Sequence, residues 1–390
     1  MKASRQLSAF ESPTQFIDSS KLDPRIRLLP GRLRSIVCEI GLVVLSMGSS
    51  MARAEPILPP TSTVASTVPN RGDVNPYGIA FVPGGVPSSS TLKTGDVLVS
   101  NFNAPSNKQG TGTTIVKLVT DGKPVTFFQG QNLGLTTALA VLKNGFVLVG
   151  NLPTTNGKTI SSAGSLLVIN PQGRLVSELK DDTLLNGPWD MTVINDNGGS
   201  QVTAFVSNVL SGTVARIVIN IGDSGATLVK GSSLIIASGY NHRPDPAALV
   251  VGPTGLAFDG LNLYVASTAD NAIFKVAGAA TMMSNGGMGT LIPLDSSHLH
   301  GPLALALAPN GDLVTANGDA VDPSTDPQQA SVIVEFTPDG RFIAQMQVDP
   351  TAGAAFGLAF GLDSNGQSQF AAVNDNTNTA TVWTLRPSGN

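Results

Sequence analysis

Between residues 75 and 385 the apolar positions fall in short runs, each closed by a tight polar turn. One stretch shows the grammar in full. Gly252-Pro253-Thr254-Gly255-Leu256-Ala257-Phe258 is a short apolar run with small residues, and Asp259-Gly260 follows as a tight turn. Leu263-Tyr264-Val265-Ala266, Ala272-Ile273-Phe274-Lys275-Val276 and the weaker Thr290-Leu291-Ile292-Pro293 come next. Such β-prone runs between Gly, Asn and Asp turns predict strands joined by hairpins. No apolar i, i+3, i+4 pattern of helical length is sustained in this region, where Gly and Pro (42 and 26 in the whole chain) interrupt throughout.

The pattern repeats. Val-Ser-Asn at 99–101 returns as Val-Gly-Asn at 149–151, Val-Ser-Asn at 206–208, Val-Ala-Ser at 265–267, Thr-Ala-Asn at 315–317 and Ala-Val-Asn at 372–374. The last residues of these phrases lie 50, 57, 59, 50 and 57 positions apart. A supersecondary unit copied at such a period makes a ring or a solenoid. Four strands per copy and six copies predict an all-β, six-bladed β-propeller of four-stranded blades. A β-sandwich or β-helix uses similar strands but predicts no four-stranded unit of this length. Pro309-Asn310-Gly311-Asp312, Pro338-Asp339-Gly340, Pro171-Gln172-Gly173 and Lys143-Asn144-Gly145 keep the turn punctuation in other copies.

The sixth copy has strands near 355–361, 369–374 and 379–385 and lacks a fourth. The β-prone segment Pro60–Val68 precedes the first copy and belongs to none. We expect it to supply the missing outer strand, closing the ring and covering an edge that would otherwise invite aggregation.

The phrases Gly252–Asp259, Leu263–Ala266 and Asn271–Val276 resemble the NHL repeat, and Asn75-Pro76-Tyr77-Gly78-Ile79-Ala80-Phe81 opens the first copy in the same way. The resemblance covers about 75–385, and it implies the propeller fold. Proteins with this resemblance include gluconolactonase-like enzymes, streptogramin B lyase, peptidyl-hydroxyglycine lyase and binding modules without catalysis, so fold alone assigns no activity. Gluconolactonase-like enzymes hold a divalent metal partly through a Glu on the inner wall, and the streptogramin lyase pairs a His with a Glu. Past residue 54 the glutamates are Glu55, Glu178 and Glu335, with Glu178 expected on an outer strand and Glu335 on a third strand. Neither falls on the channel wall.

Residues 1–54 carry eight Lys and Arg, then the apolar run Ile40–Leu45 and Ala52-Arg53-Ala54. Basic region, short apolar core and small-x-small site predict a secretory signal over 1–54 with an unusually long basic region. Residues 55–74 then form the closing strand and lead-in, and 75–390 the propeller. The run is too short to span a bilayer, so no stable membrane span is expected in the mature chain. Export to the periplasm or the cell exterior follows. Without 1–54 the net charge moves from −4 to −8, which argues against nucleic acid or an anionic membrane as partner. The sole cysteine, Cys38, leaves with the signal.

In a propeller the innermost strand runs down the channel and the second runs back. The loops after the second strand and before the next innermost strand therefore share one rim. Asn101, Asn151, Asn208, Asn317 and Asn374, with Ser267 as sixth member, fall on that rim. They either cap turns or form a neutral polar ring for a ligand's hydroxyls or a cation. Aligned at the start of the innermost strands are Gly78, Ala138, Asp190, Gly255, Ala304 and Gly357. Asp190, next to Trp189, is the one carboxylate there, and a carboxylate in a crowded channel must be solvated, hydrogen-bonded or metal-bound. His298-Leu299-His300 would put two imidazoles on one face of an extended segment, with His242 on a neighbouring loop as a third ligand. The resemblance to peptidyl-hydroxyglycine lyase, whose zinc is held by histidines, points to the same set. Two functions stay open. One is a module that binds a small molecule, peptide or protein at the channel mouth. The other is a hydrolase or lyase using a divalent cation (calcium, magnesium or zinc) at that mouth.

Overall fold

The second strand of every blade is buried on both faces over most of its length, which is why these strands read as unbroken apolar runs and not as strict alternation. The computed structural model describes residues 56–57 and 62–386, apart from 121, 132, 155, 247, 295–296 and 319–329. The expected signal over 1–54, Cys38 and Glu55 lie outside the described residues.

An N-terminal strand, β1 (Ser62–Ser66), precedes the blades. Blade one is β2 (Val74–Phe81), β3 (Val97–Asn103), β4 (Thr114–Lys117) and β5 (Val125–Gln129). Blade two is β6 (Leu139–Val141), β7 (Val147–Asn151), β8 (Ser165–Ile169) and β9 (Leu175–Leu179). Blade three is β10 (Pro188–Asn195), β11 (Gln201–Asn208), β12 (Thr213–Gly222), β13 (Gly225–Leu228) and β14 (Leu234–Ser238). A hairpin, β15 (Arg243–Asp245) with β16 (Leu249–Val251), leads into blade four, β17 (Pro253–Phe258), β18 (Leu263–Ser267), β19 (Ala272–Val276) and β20 (Thr290–Leu291). Blade five is β21 (Pro302–Leu307), β22 (Leu313–Asn317), β23 (Ser331–Phe336) and β24 (Phe342–Asp349). Blade six is β25 (Ala355–Leu362), β26 (Ser368–Asn374) and β27 (Thr379–Thr384), completed by β1. The chain is a six-bladed propeller of antiparallel sheets. Among the described residues no helix is long and apolar enough to cross a membrane.

Side-chain alternation distributes the core. On β3, Val97 and Val99 face blade six while Leu98 faces blade two. On β7, Val147 and Val149 face blade one and Leu148 faces blade three. On β18, Leu263 and Val265 face blade three, and Tyr264 and Ala266 face blade five. Each blade is thus glued to both neighbours by the two faces of the same strands.

Blade three departs from the expected four strands. Its β12 runs ten residues and pairs with β14 over one half and β13 over the other. The far hairpin reaches the outer strand of blade two, where Ser177 Oγ accepts the Ala226 amide at 2.7 Å. The β15–β16 hairpin was also not anticipated; its three-residue strands give too short a signal.

The closing strand lies where the ring was expected to close. Ser62 to Ser66 pair with Trp383 to Thr379 of β27 in antiparallel register. Just beyond, the Thr67 amide and Oγ1 both donate to Asn378 O, and Thr67 O accepts from Asn101 Nδ2 at 2.7 Å. Deleting residues 62–67 should therefore expose the edge of β27 and strip a buried amide of its partner. We expect a melting temperature lower by several degrees, since a few kcal/mol is large beside a total stability of roughly 5–15 kcal/mol. An unchanged melt in calorimetry would show that β1 does not hold the ring.

Candidate functional site

Six innermost strands cannot approach one axis without local distortion. The pairing of inner and second strand shifts register at the same place in five blades: Pro76/Ile79, Pro188/Met191, Pro253/Leu256, Pro302/Ala304 and Ala355/Leu358. At these bulges the backbones nearly touch. A Cβ on Gly357 would lie 1.8 Å from Tyr77 O, and one on Gly78 would lie 2.4 Å from Thr137 O. Only glycine fits there.

The serine of the repeated phrase ties blades together at this level. Ser207 Oγ accepts the Asp190 amide at 3.0 Å and donates to Thr254 O of blade four at 2.7 Å. Ser100 does the same between the Gly78 amide and Thr136 O of blade two. In blade four Thr254 and Thr268 both donate to Pro302 O of blade five.

An aromatic plug fills the rim end of the channel. The Tyr77 ring packs edge-on to Trp189 at 5.6 Å and to Phe102 at 5.7 Å, and tilted on Phe356 at 4.8 Å. Trp189 Nε1 donates to the Tyr77 hydroxyl at 2.8 Å. Leu135, Leu152, Val209 and Val250 complete the cluster, with Leu249 of the β15–β16 hairpin against it. Tyr77 and Trp189 each follow a proline and lie within the register shift of their inner strand, between Pro76 and Ile79 and between Pro188 and Met191.

Below the plug is a cavity of about 30 Å³ lined by Tyr77, Thr137, Trp189, Asp190, Leu303 and Gly357 among others. Asp190 spans blades there. Its Oδ1 accepts the Met191 amide and its Oδ2 the Leu256 amide of blade four, both at 2.8 Å. The carboxyl keeps some accessible surface on the cavity, yet protein makes up most of its surroundings. Burial therefore dominates and pushes it up to about 7, against the lowering effect of the two amides. Burial likewise raises the Tyr77 hydroxyl.

The rim asparagines are buried and engaged by backbone. Asn151 Oδ1 accepts the Gly134 amide and Asn208 Oδ1 the Asn186 amide. Asn317 bridges the His300 amide and His298 O. Asn374 accepts from the Thr377 amide and donates to Val348 O and Asp349. Ser267 donates to Asp270. In most blades, then, this residue staples the loop entering its own innermost strand, which explains why Asn recurs. Asn101 alone keeps a buried Oδ1 with no protein partner.

The histidines are not brought together. His242 Nδ1 meets Tyr240 O, His298 stacks on Phe342 at 3.7 Å, and buried His300 meets Ser297 O through Nε2. His298 lies in a turn, so the two imidazoles do not share a strand face. Among the described residues no three His, Cys, Asp or Glu side chains converge as a metal site.

Two acidic features went unnoticed in the sequence. Asp375 follows Asn374 at the rim, with its carboxyl pushed up to about 7 by desolvation. On the opposite rim, Glu335 and Asp312 form a buried pair bridged by Asn310. Glu335 Oε2 accepts the Ile57 amide at 3.3 Å, and burial pushes this carboxyl up to about 7. No motif marks either. Asp312 sits in a turn and Glu335 on a third strand some 20 residues on, and only pairing of β22 with β23 joins them.

Together the register, the plug and the cavity define a six-bladed propeller whose axial channel is closed at the rim. In structure the chain is similar to the PQQ-bound aldose sugar dehydrogenase of Streptomyces coelicolor (TM-score 0.49, 13% identity, covering 84% of this chain and 100% of that one). It is also similar to a gluconolactonase of Xanthomonas campestris (TM-score 0.47, 14% identity, 86% and 100%). A third likeness is to the calcium-binding protein regucalcin of Agrobacterium tumefaciens (TM-score 0.48, 15% identity, 82% and 94%). No family model matches the chain, and no curated protein matches it in sequence. These likenesses are of fold, and the chemistry of those proteins stays with them.

Asp190, Asp375 and Glu335 all have folded values near 7, above their unfolded values of about 4. The folded state then holds extra protons between about pH 4 and 7, and stability falls as pH rises through that window. Asp181, Asp259 and Asp349 are lowered and lose their contribution as pH falls below about 4. Melting temperature should therefore peak in mildly acidic buffer, near pH 5 by this reasoning. Asp190→Asn should flatten part of the fall toward neutral pH, by on the order of 2 kcal/mol. Identical pH profiles for the two proteins would contradict the burial of this charge.

Proposed function

We propose that this chain is a binding propeller that takes a small molecule, peptide or protein segment on its rim face, above the plug. The plug carries the reading, because it occupies the mouth through which a channel substrate would pass. Around it, the position just after each repeated Asn or Ser is split in character. Blades one to three place Phe102, Leu152 and Val209 there, and blades four to six place Thr268, Gly318 and Asp375. Phe102, Leu152 and Val209 are buried in the plug and Thr268 and Gly318 are buried too, so Asp375 is the partly exposed member, and its desolvated carboxyl suits a partner that brings a cationic or hydrogen-bond-donating group. The net charge of −4 favours the same kind of partner and disfavours nucleic acid. Export, with residues 1–54 removed as a signal, belongs to the proposal and rests on the basic, apolar and small-residue order of that segment.

A second reading, a metal-dependent hydrolase or lyase at the same mouth, draws on the carboxyls of Asp190 and Asp375. Values near 7 suit general acid–base work. The donor set fits a divalent cation poorly. Both Asp190 oxygens and the oxygens of Asn151, Asn208, Asn317 and Asn374 already accept backbone amides. Calcium or magnesium would have to share oxygens already committed to amides, and among the described residues no three His, Cys, Asp or Glu side chains converge to complete a site.

Elemental analysis of protein purified without chelators separates the two readings. The binding reading expects sub-stoichiometric metal, no thermal shift with calcium, magnesium or zinc, and peptide- or glycan-array ligands whose affinity drops about tenfold, 1.4 kcal/mol, in Asp375→Asn. The same variant should melt no lower than wild type, because it removes a desolvated charge. Stoichiometric metal with turnover of a lactone, ester or peptide would establish the second reading instead.

A further inference from the structure

The cavity beneath the plug contains an imbalance that neither reading uses. Thr137 is 3% exposed, lines the cavity, and its Oγ1 has no hydrogen-bond partner in the protein. A buried hydroxyl left in this state costs free energy comparable to a lost hydrogen bond, and native proteins rarely tolerate it without a bound polar group. Two further residues that line the cavity have hydrogen-bonding capacity to spare. The Tyr77 oxygen already accepts from Trp189, so its own proton is free to be donated. The Asp190 carboxylate accepts two amides and retains lone pairs on both oxygens.

We propose that this cavity is an internal binding site for one water molecule, held by Thr137 Oγ1, the Asp190 carboxyl and the Tyr77 hydroxyl. Size and valence both select water. A volume of about 30 Å³ exceeds the roughly 10–15 Å³ that a single water needs and leaves no room for an organic ligand. The three groups offer a donor, an acceptor and a hydroxyl able to act as either, matching the roughly three bonds that buried waters make. A calcium ion would seek about six to eight oxygens. The lining also includes the apolar residues Ile79, Leu139, Leu303, Leu305 and Leu358, beside Gly78, Ala304 and Gly357. The site is independent of the rim reading, since it lies below the plug that a rim partner would cover.

The water would also account for how Asp190 keeps a carboxyl at the axis. It receives a third hydrogen bond there without a counter-cation. Protonation of Asp190 would reverse one bond of the network, from accepting to donating, and the water can turn to accept it.

A high-resolution crystal structure of the wild type is the direct test, paired with oxygen-17 relaxation dispersion in solution. The expected result is an isolated oxygen peak within bonding distance of Thr137 Oγ1 and Asp190. Thr137→Ser should keep the peak. Thr137→Val should lower its occupancy and remove one long-lived water from the dispersion amplitude. An empty cavity in the wild type would overturn the proposal, and so would an anomalous signal in rubidium or manganese soaks, which would identify a cation. An unchanged water signal in Thr137→Val would overturn the role of the threonine. Should that variant fail to fold, the wild-type structure and Thr137→Ser still decide the question.

Discussion

The crowding of six backbones around one axis governs this structure. Where the inner strands converge, a Cβ at several positions would fall within bonding distance of a neighbouring carbonyl, so glycine is required and the strands bulge to pass one another. The bulges free amides and carbonyls from strand pairing at the level where blades meet. Ser100, Ser207, Thr254 and Asp190 then use those groups to tie blade one to two, three to four and four to five. The plug and the cavity are consequences of the same geometry. Tyr77, Trp189 and Phe356 lie between the shifted pairs of their strands, and their rings pack together as the plug.

The fold was legible because repetition and turn chemistry are local. Asn-Gly and Asp-Gly turns mark hairpins wherever they occur, and six copies average out the ambiguity of any one run. The closing strand could be inferred from a deficit of one strand at the end of the sixth copy. The hairpin before blade four and the fifth strand of blade three escaped because they are insertions, present once and therefore invisible to a repeat.

The site was legible only as a set of exceptions. Asp190 stood out because its counterparts are Gly or Ala, and it does sit at the axis, where its partners are the Met191 and Leu256 amides. The asparagines stood out for recurring, and in most blades their engagement with incoming loops explains the recurrence in structural terms. Tyr77, Phe102 and Phe356 gave no signal, since aromatic residues in a strand protein are ordinary; their convergence from blades one and six on Trp189 of blade three makes the plug. Thr137 was equally silent. What distinguishes it is the lack of a partner, a property of three-dimensional surroundings and not of residue type. The Asp312–Glu335 pair is hidden for a related reason, because strand register brings the two carboxyls together.

The union of β1 with β27 bears on how the ring comes into being during synthesis. Thr67 bonds to Asn378 across 311 residues of chain. The first of the described strands is thus partnered by the last of them, and every blade between must be made before the pair can form. Contacts of such long range are slow to find, and loop closure has to be completed before they reward the chain. Five blades can assemble in order as they emerge, each on its predecessor. The sixth joins two segments that are separated by the synthesis of all the blades between them, so for that interval the young propeller is an open crescent with a bare edge at each tip.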